Sequence, residues 1–384
     1  MINFNYLKIL ILSTLSFAAF GYANFIGYSY QQCITCHYNP YGNGPLNDYG
    51  RALGATLVSS KEILKDSLSD EDRAEMSSFL YGKYKGDYFK PHANYRGLYY
   101  KTDIGSETSQ AEWINMMANV GFTFRPTKND SLIVVASIGY APEPSNPVTG
   151  EEPSTYRSRE HYIGWRPSKN HGLYFGMMDK VFGIRIPDHN SFSRTVTNLT
   201  MNDGAHAALY HYTNKSFDFG LQYFLGNLQQ DENVRPSGFT TQFEYSLNNL
   251  NRVGASFLSQ SNTFSSQSMW ALHWRAGILK GSSIMVEFGR VTKEFEGSEA
   301  TTSEYFFLQN HILIKRGLFA LVTFEQFKDN IEDTDKTLKL GPGIQYFPFQ
   351  GIEARFDIYN LRSLSEQNYS NDTWSFAGQV HIWL

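Results

Sequence analysis

The sequence is poor in cysteine, in charge and in long hydrophobic runs, and each shortage excludes a class of protein. Its 384 residues include two cysteines, too few for a disulfide-stabilised scaffold. Charged residues make up 18% of the chain and the net charge is −4, so no basic surface predicts nucleic-acid binding. The mean hydropathy of −0.38 excludes a helical membrane protein. Aromatic residues are abundant at 16%, which excludes a disordered chain.

The N-terminus has the pattern of a secretory signal peptide over residues 1–23. Lys8 supplies a positive charge, residues 9–20 are apolar or small, and Ala23 precedes a cleavage site before Asn24. The alternative is a membrane anchor, but the apolar run is shorter than the ~20 residues that a spanning helix needs. After this segment no run approaches ~18 apolar residues. We therefore expect a protein exported across a bacterial inner membrane.

Both cysteines lie in one motif, Cys33-Ile34-Thr35-Cys36-His37, which has the CxxCH spacing of c-type haem attachment. Each thiol would form a thioether to one haem vinyl group, and His37 would ligate the iron from the proximal side. The alternatives are a redox-active dithiol, a chance disulfide and a zinc site. A dithiol would need a βαβ context and zinc would need further ligands nearby. The motif therefore predicts covalently bound haem c with iron.

The residues that follow the motif predict a small haem-binding domain over residues 24–91. Residues 38–51 are dense in Gly, Pro and Asn and are expected to form irregular backbone rather than helix. Arg51 could pair with a haem propionate or be a solvated surface charge. Ser69 and the acidic residues after it predict the start of a helix that ends near Gly82.

From residue 92 to residue 384 the dominant period is two. Trp270, Leu272 and Trp274, for example, alternate with His273 and Arg275. One apolar face and one charged face are typical of a strand between lipid and a wet lumen. Sixteen segments show this alternation, at roughly 92–101, 112–125, 130–140, 157–166, 171–181, 204–213, 216–225, 238–247, 251–260, 268–278, 282–291, 303–314, 318–328, 336–347, 351–361 and 374–384.

Short and longer connections alternate between these segments, as in outer-membrane barrels with short periplasmic turns and longer outer loops. We therefore predict an all-β fold, a transmembrane antiparallel β-barrel of about 16 strands over residues 92–384. A soluble all-β protein is the alternative. Pro342 lies inside one predicted strand and indicates a bulge there. The longest loop, residues 183–203, is expected to fold into the lumen, with solvated disorder as the alternative.

Two blocks of sequence carry a resemblance to a family. Residues 33–51, with CxxCH followed by Pro, glycines and Asn-x-Tyr-Gly, resemble the start of exported bacterial proteins that join one c-type haem segment to an outer-membrane β-barrel. Residues 182–206 resemble a barrel motif of the same family. The resemblance implies haem binding and outer-membrane location. The chain is also loosely similar to porin–cytochrome electron conduits, which use separate multihaem partners.

For the sixth ligand of the iron, the alternatives are a His, a Met or no protein residue. His189 lies in the long loop and could reach the haem if both occupy the lumen. Met76 lies on the apolar face of the predicted helix, where core packing is the alternative role. His92 lies where the linker meets the first strand.

Three functions follow from these features. The leading hypothesis is electron transfer at the outer membrane of a Gram-negative bacterium, with the haem segment on the periplasmic side or in the lumen. The alternatives are a diffusion porin with a haem-bearing plug, and a haem peroxidase or gas sensor; we expect an electron carrier rather than an enzyme. The expected partners are outer-membrane lipid, the barrel-assembly machinery and a periplasmic or extracellular redox protein. A second copy of the chain is a candidate partner by analogy.

Overall fold

The computed structural model describes residues 23–28, 30–63, 68–82, 86, 88–104, 107–127, 129–140, 156–186, 188, 190–365 and 372–384. These residues form one antiparallel sheet of eighteen strands. Two of them, β2 and β5, have two residues each. The strands are β1 Phe89–Ile104, β2 Glu107–Thr108, β3 Glu112–Phe124, β4 Leu132–Tyr140, β5 Tyr156–Arg157, β6 His161–Trp165, β7 His171–Met178, β8 Ala205–Thr213, β9 Phe217–Phe224, β10 Ser237–Ser246, β11 Asn251–Ser261, β12 Ser265–Leu279, β13 Ser282–Phe295, β14 Thr301–Lys315, β15 Leu318–Lys328, β16 Lys336–Phe349, β17 Ile352–Leu364 and β18 Thr373–Trp383.

The sheet closes on itself because β1 pairs with β3 on one side and with β18 on the other. Setting aside the two-residue strands leaves sixteen wall strands, and the predicted closed antiparallel barrel is confirmed. Closure leaves no unpaired sheet edge, which a lipid environment demands. Of the helices in the described part of the chain, none is long and apolar enough to cross a membrane.

The two faces of the wall follow the predicted alternation. On β12, Trp270, Leu272 and Trp274 point outward and are exposed, whereas Met269 and His273 point inward and are buried. The outer face is therefore apolar and aromatic. The lumenal face buries many polar and charged side chains, as expected of a barrel with lipid outside and polar groups inside.

Two local predictions about the wall were wrong. Pro342 does not sit in a bulge, because β16 keeps the same register against β17 on both sides of it and the register shift lies between Tyr346 and Phe349. The predicted loop 261–267 is only residues 262–264, because β11 and β12 extend beyond their predicted ends.

The long loop between β7 and β8 folds into the lumen, as predicted. The side-chain oxygen of Gln222 accepts a 2.9 Å hydrogen bond from the Val181 amide. The Ser191 hydroxyl donates to Glu325 at 2.8 Å. A short helix, Phe192–Thr195, lies in this loop. Phe182, with other apolar loop residues, packs in a buried cluster against strand residues.

The described part of the N-terminal segment contains three short helices: α1 Ala23–Ile26, α2 Asp48–Leu53 and α3 Asp70–Glu75. A π-helical turn, Gly54–Val58, continues α2, and 3₁₀ turns span Cys33–Thr35 and Phe79–Tyr81. The Ser69 cap of α3 is confirmed, but the α-helix ends at Glu75 rather than near Gly82.

Part of the predicted irregular stretch 38–51 is helical, so that prediction was wrong for α2. The Asn47 side chain caps α2 by accepting a hydrogen bond from the Gly50 amide, and Asp48 lies in the first turn. Asparagine followed by an acidic residue is a helix-start signal as well as a turn signal, and here capping prevails.

Replacing Leu272 by arginine tests which face meets lipid. Leu272 is 55% exposed at the middle of β12. A cation at mid-bilayer depth should destabilise the barrel by about 2–4 kcal/mol, measured by denaturant unfolding in lipid vesicles. Leu247→Arg at a strand end should cost about 0–1 kcal/mol. Equal destabilisation by Leu272→Arg and Leu247→Arg would contradict the assignment of the outer face to lipid.

Candidate functional site: the plug and its lumenal cavity

Residues 23–28, 30–63 and 68–82, here called the plug, fill the short-turn end of the barrel. Hydrogen bonds or ion pairs join the plug to all seven short connections of the described chain. Several of these contacts use plug backbone, so they depend on the path of the chain as well as on side chains. The pairs are Gly27–Gly281, Gln31–Asn248, Gln32–Asn214, Tyr38–Arg166, Asp48–Arg125, Ser59–Arg316 and Met76–Gln350.

The CxxCH motif forms a compact turn inside the plug. Cys33–Thr35 is a 3₁₀ turn, and the His37 amide donates a 2.9 Å hydrogen bond to the Cys33 carbonyl. His37 also pairs with Leu46 in an antiparallel bridge. A β-carbon at Gly50 would lie 2.9 Å from the Cα of Cys36, so α2 can approach the motif only with glycine there.

Both cysteines are free thiols whose surroundings oppose ionisation. Desolvation by burial raises the pKa of Cys33, and it raises the pKa of Cys36 to about 12. A redox-active dithiol needs a lowered pKa, so the redox alternative lacks its chemical basis here. Burial also lowers the pKa of His37 to about 4, so its ring is neutral at pH 7, the form that binds metals.

A cavity of about 270 Å³ lies between the plug and the barrel wall. Cys33, Cys36 and His37 border it from the plug, and His92 borders it from β1. Within the described part of the chain, Nδ1 of His37 and both ring nitrogens of His92 are buried without a hydrogen-bond partner. Two imidazoles from distant parts of the chain therefore meet one cavity with unused nitrogens.

Arg51 also borders the cavity, but it is not the solvated surface charge that was one alternative. It is half-buried, and one guanidinium nitrogen donates to the backbone carbonyls of Pro91 and Leu384 at 3.3 Å each. Arg51 thus ties α2 to the seam where β1 meets β18. Its pairing with a haem propionate remains a prediction.

The other two candidate iron ligands are His189 and Met76. His189 lies outside the described residues. Met76 follows α3, and its carbonyl accepts a hydrogen bond from Gln350 at a short turn. Met76 is not among the described residues that border the cavity, so the structure does not support it as an iron ligand.

Sequence reasoning missed several polar side chains that the strands bring to the cavity. His311 and His381 border it, as does a buried cluster in which Glu244 pairs with Arg252 at 3.3 Å and with Arg275. Their inward orientation follows from the period of two, but their common neighbourhood depends on strand tilt and barrel closure.

The cavity has an excess of cationic side chains. Of the described residues, nine arginine or lysine residues and six aspartate or glutamate residues border it. This excess contrasts with the net charge of −4 for the whole chain. The nine are Arg51, Arg96, Arg159, Lys180, Arg185, Arg194, Arg252, Arg275 and Arg355, and the six are Glu160, Asp179, Asp188, Asp203, Asp218 and Glu244.

The residues at this cavity fit a covalently attached haem. Two free thiols stand at CxxCH spacing, and a neutral imidazole follows directly. His37 and His92 have buried ring nitrogens without a hydrogen-bond partner among the described residues, and a bound metal ion or cofactor would give such nitrogens a partner. A zinc site would require more ligands, and the described residues contain no cluster of three or more His, Cys, Asp or Glu placed to hold a metal.

Comparison with known proteins identifies the barrel but not the plug. No family model matches the chain, and no curated protein matches it. The outer-membrane protein OmpT of Vibrio cholerae matches with a TM-score of 0.60 and 10% identity, covering 78% of this chain and 99% of that one. The anion-selective porin from Comamonas acidovorans matches at 0.57 and 7% identity, covering 77% and 99%. The outer membrane channel DcaP of Acinetobacter baumannii matches at 0.55 and 11%, covering 77% and 97%. At these identities the likeness shows a shared fold, that of Gram-negative outer-membrane porins.

Arg316→Ala should loosen the plug. Arg316 donates to the carbonyls of Ser59 at 2.8 Å and Ala55 at 3.1 Å, and it pairs with Asp70. Losing these bonds should weaken docking by about 2 kcal/mol and speed amide hydrogen exchange of Gly54–Val58 and α3. The neighbouring Lys315→Ala removes only an exposed pair and should leave exchange unchanged. Equal exchange in both variants would show that Arg316 does not hold the plug.

Proposed function

We propose that this chain is an outer-membrane barrel that holds one c-type haem covalently in its lumen and transfers electrons. The observation that carries this proposal is the position of the CxxCH turn on a lumenal cavity that the imidazole of His92, with neither nitrogen engaged by a described residue, also borders. The barrel fold supports the outer membrane of a Gram-negative bacterium as the location. Short turns are periplasmic in such barrels, so the plug would lie at the periplasmic mouth.

The chain's own residues would hold and orient the cofactor. The thiols of Cys33 and Cys36 would each add across one vinyl group. Each addition would break the sulfur–hydrogen bond and the carbon–carbon π bond of the vinyl group and form one sulfur–carbon and one carbon–hydrogen bond, so no oxidant is needed. His37 would ligate the iron, and Arg51 would fix α2 against the wall. When bound, the haem supplies one-electron oxidation and reduction. The plug and the inward loop would restrict the access of water and solutes.

The proposed function implies several partners for the chain. Outer-membrane lipid would surround the aromatic outer face, and the barrel-assembly machinery would insert the barrel. A periplasmic or extracellular redox protein would exchange electrons at one mouth. One structural neighbour is described as a trimer form, which makes a second copy of this chain a further candidate partner.

A diffusion porin is the second candidate function, and the cationic excess of the cavity favours small anions as its solutes. One structural neighbour is described as an anion-selective porin. Bound haem would add two propionate charges to this cavity, so the two functions predict different selectivity in the loaded and haem-free proteins.

Replacing both Cys33 and Cys36 by serine should abolish covalent haem while leaving the barrel folded. The full-length protein, co-expressed with c-type maturation proteins and purified from outer membranes, would be stained for haem after denaturing electrophoresis. Thr35→Ser, in the same turn, should retain wild-type staining. The wild-type haem, reduced chemically, should pass its electron to a soluble oxidant added on the plug side, and the double variant should show no such transfer. A folded wild-type barrel without haem would contradict the proposal.

Ion selectivity tests the second candidate. In a planar bilayer under a salt gradient, the sign of the reversal potential should show that the haem-free Cys33→Ser, Cys36→Ser double variant favours chloride over potassium. The haem-loaded wild type should show a weaker preference. A preference for potassium, or a total lack of conductance in the haem-free protein, would exclude an anion porin.

A further inference from the structure

We infer that His92, on the barrel wall, would hold the haem iron together with His37. The inference rests on the proposed haem and specifies its coordination. Because His37 belongs to the plug and His92 to β1, the haem would then link the plug to the wall.

His92 is buried in an unusual way. It is 3% exposed, and among the residues that the structure describes neither of its ring nitrogens has a hydrogen-bond partner. A neutral imidazole carries one N–H and one lone pair, and buried polar atoms of both kinds normally find partners. A β-carbon at Gly121 would lie 2.5 Å from Nε2 of His92, so the ring occupies a space that a glycine on β3 leaves.

Two contacts place His92 next to the haem motif. Arg51 donates to the carbonyl of Pro91, the residue before His92. Gly50, the residue before Arg51, packs against the backbone of Cys36. One turn of α2 therefore separates the motif from the start of β1, and His37 and His92 border the same cavity.

Each of the other two wall imidazoles that border the cavity, His311 and His381, has one ring nitrogen engaged and one without a partner among the described residues. Nε2 of His311 lies 2.9 Å from the side-chain oxygen of Gln309. Nδ1 of His381 lies 3.3 Å from a carboxylate oxygen of Glu353. His92 differs from them because neither of its ring nitrogens is engaged by a described residue, and it is the one that Arg51 and Gly50 connect to the motif.

Ligation by two imidazoles would fill both axial positions. The iron would then be low-spin and closed to small gases, which suits electron transfer and opposes the peroxidase and gas-sensor alternatives. Because His92 lies on β1, the position of this strand would also influence the reduction potential of the haem.

The test uses absorption spectra of the full-length haem protein, oxidised, reduced and with carbon monoxide. His92→Ala should keep covalent haem but become high-spin and bind carbon monoxide, and added imidazole should restore the low-spin spectrum. His92→Met should remain low-spin with a raised reduction potential. His311→Ala and His381→Ala, matched cavity variants, should keep the wild-type spectrum.

Other outcomes overturn the inference in distinguishable ways. A low-spin spectrum in His92→Ala, unchanged by carbon monoxide, would show that another residue is the ligand. Loss of the low-spin spectrum in His311→Ala or His381→Ala alone would assign the ligand to that residue. Haem that is present but high-spin in the wild type would leave the proposed haem intact and remove His92 as a ligand. No haem in the wild type would contradict the proposed function itself.

Discussion

Contact between the plug and the short turns is the constraint on which the rest of the structure depends. Every short connection at that end of the described barrel bonds to the plug, and several bonds use plug backbone. Because the plug is fixed on all sides, the CxxCH turn has one position relative to the wall. The cavity, and the placement of His37 and His92 on it, follow from that position.

The barrel could be predicted from sequence because its signals are local. A period of two assigns the exposed face, as at Leu272, and turn residues mark the strand ends. The failures were local as well. Pro342 is accommodated without a register shift, and Asn47 caps a helix where a turn was expected. In both places the local sequence allows more than one conformation, so the sequence pattern alone did not decide between them.

The site could be predicted only in part. Cys33, Cys36 and His37 form a motif whose chemistry lies in its spacing. Docking of the plug could not be foreseen, because Ser59 and Arg316 are 257 positions apart in sequence. His92 was one of several candidates in the sequence, and the barrel brings it to the motif through Arg51 and the seam.

Zero-length carbodiimide cross-linking of the native protein, read by mass spectrometry, tests the central claim that the plug lies inside the barrel. Lys315 is 2.6 Å from Glu62, and Lys90 is 3.0 Å from Asp48. Both pairs join plug to wall, whereas Lys61–Asp70 lies within the plug and serves as the internal control. The account predicts isopeptide links at all three pairs. A link at Lys61–Asp70 alone would show that the plug lies outside the barrel and would contradict the central claim.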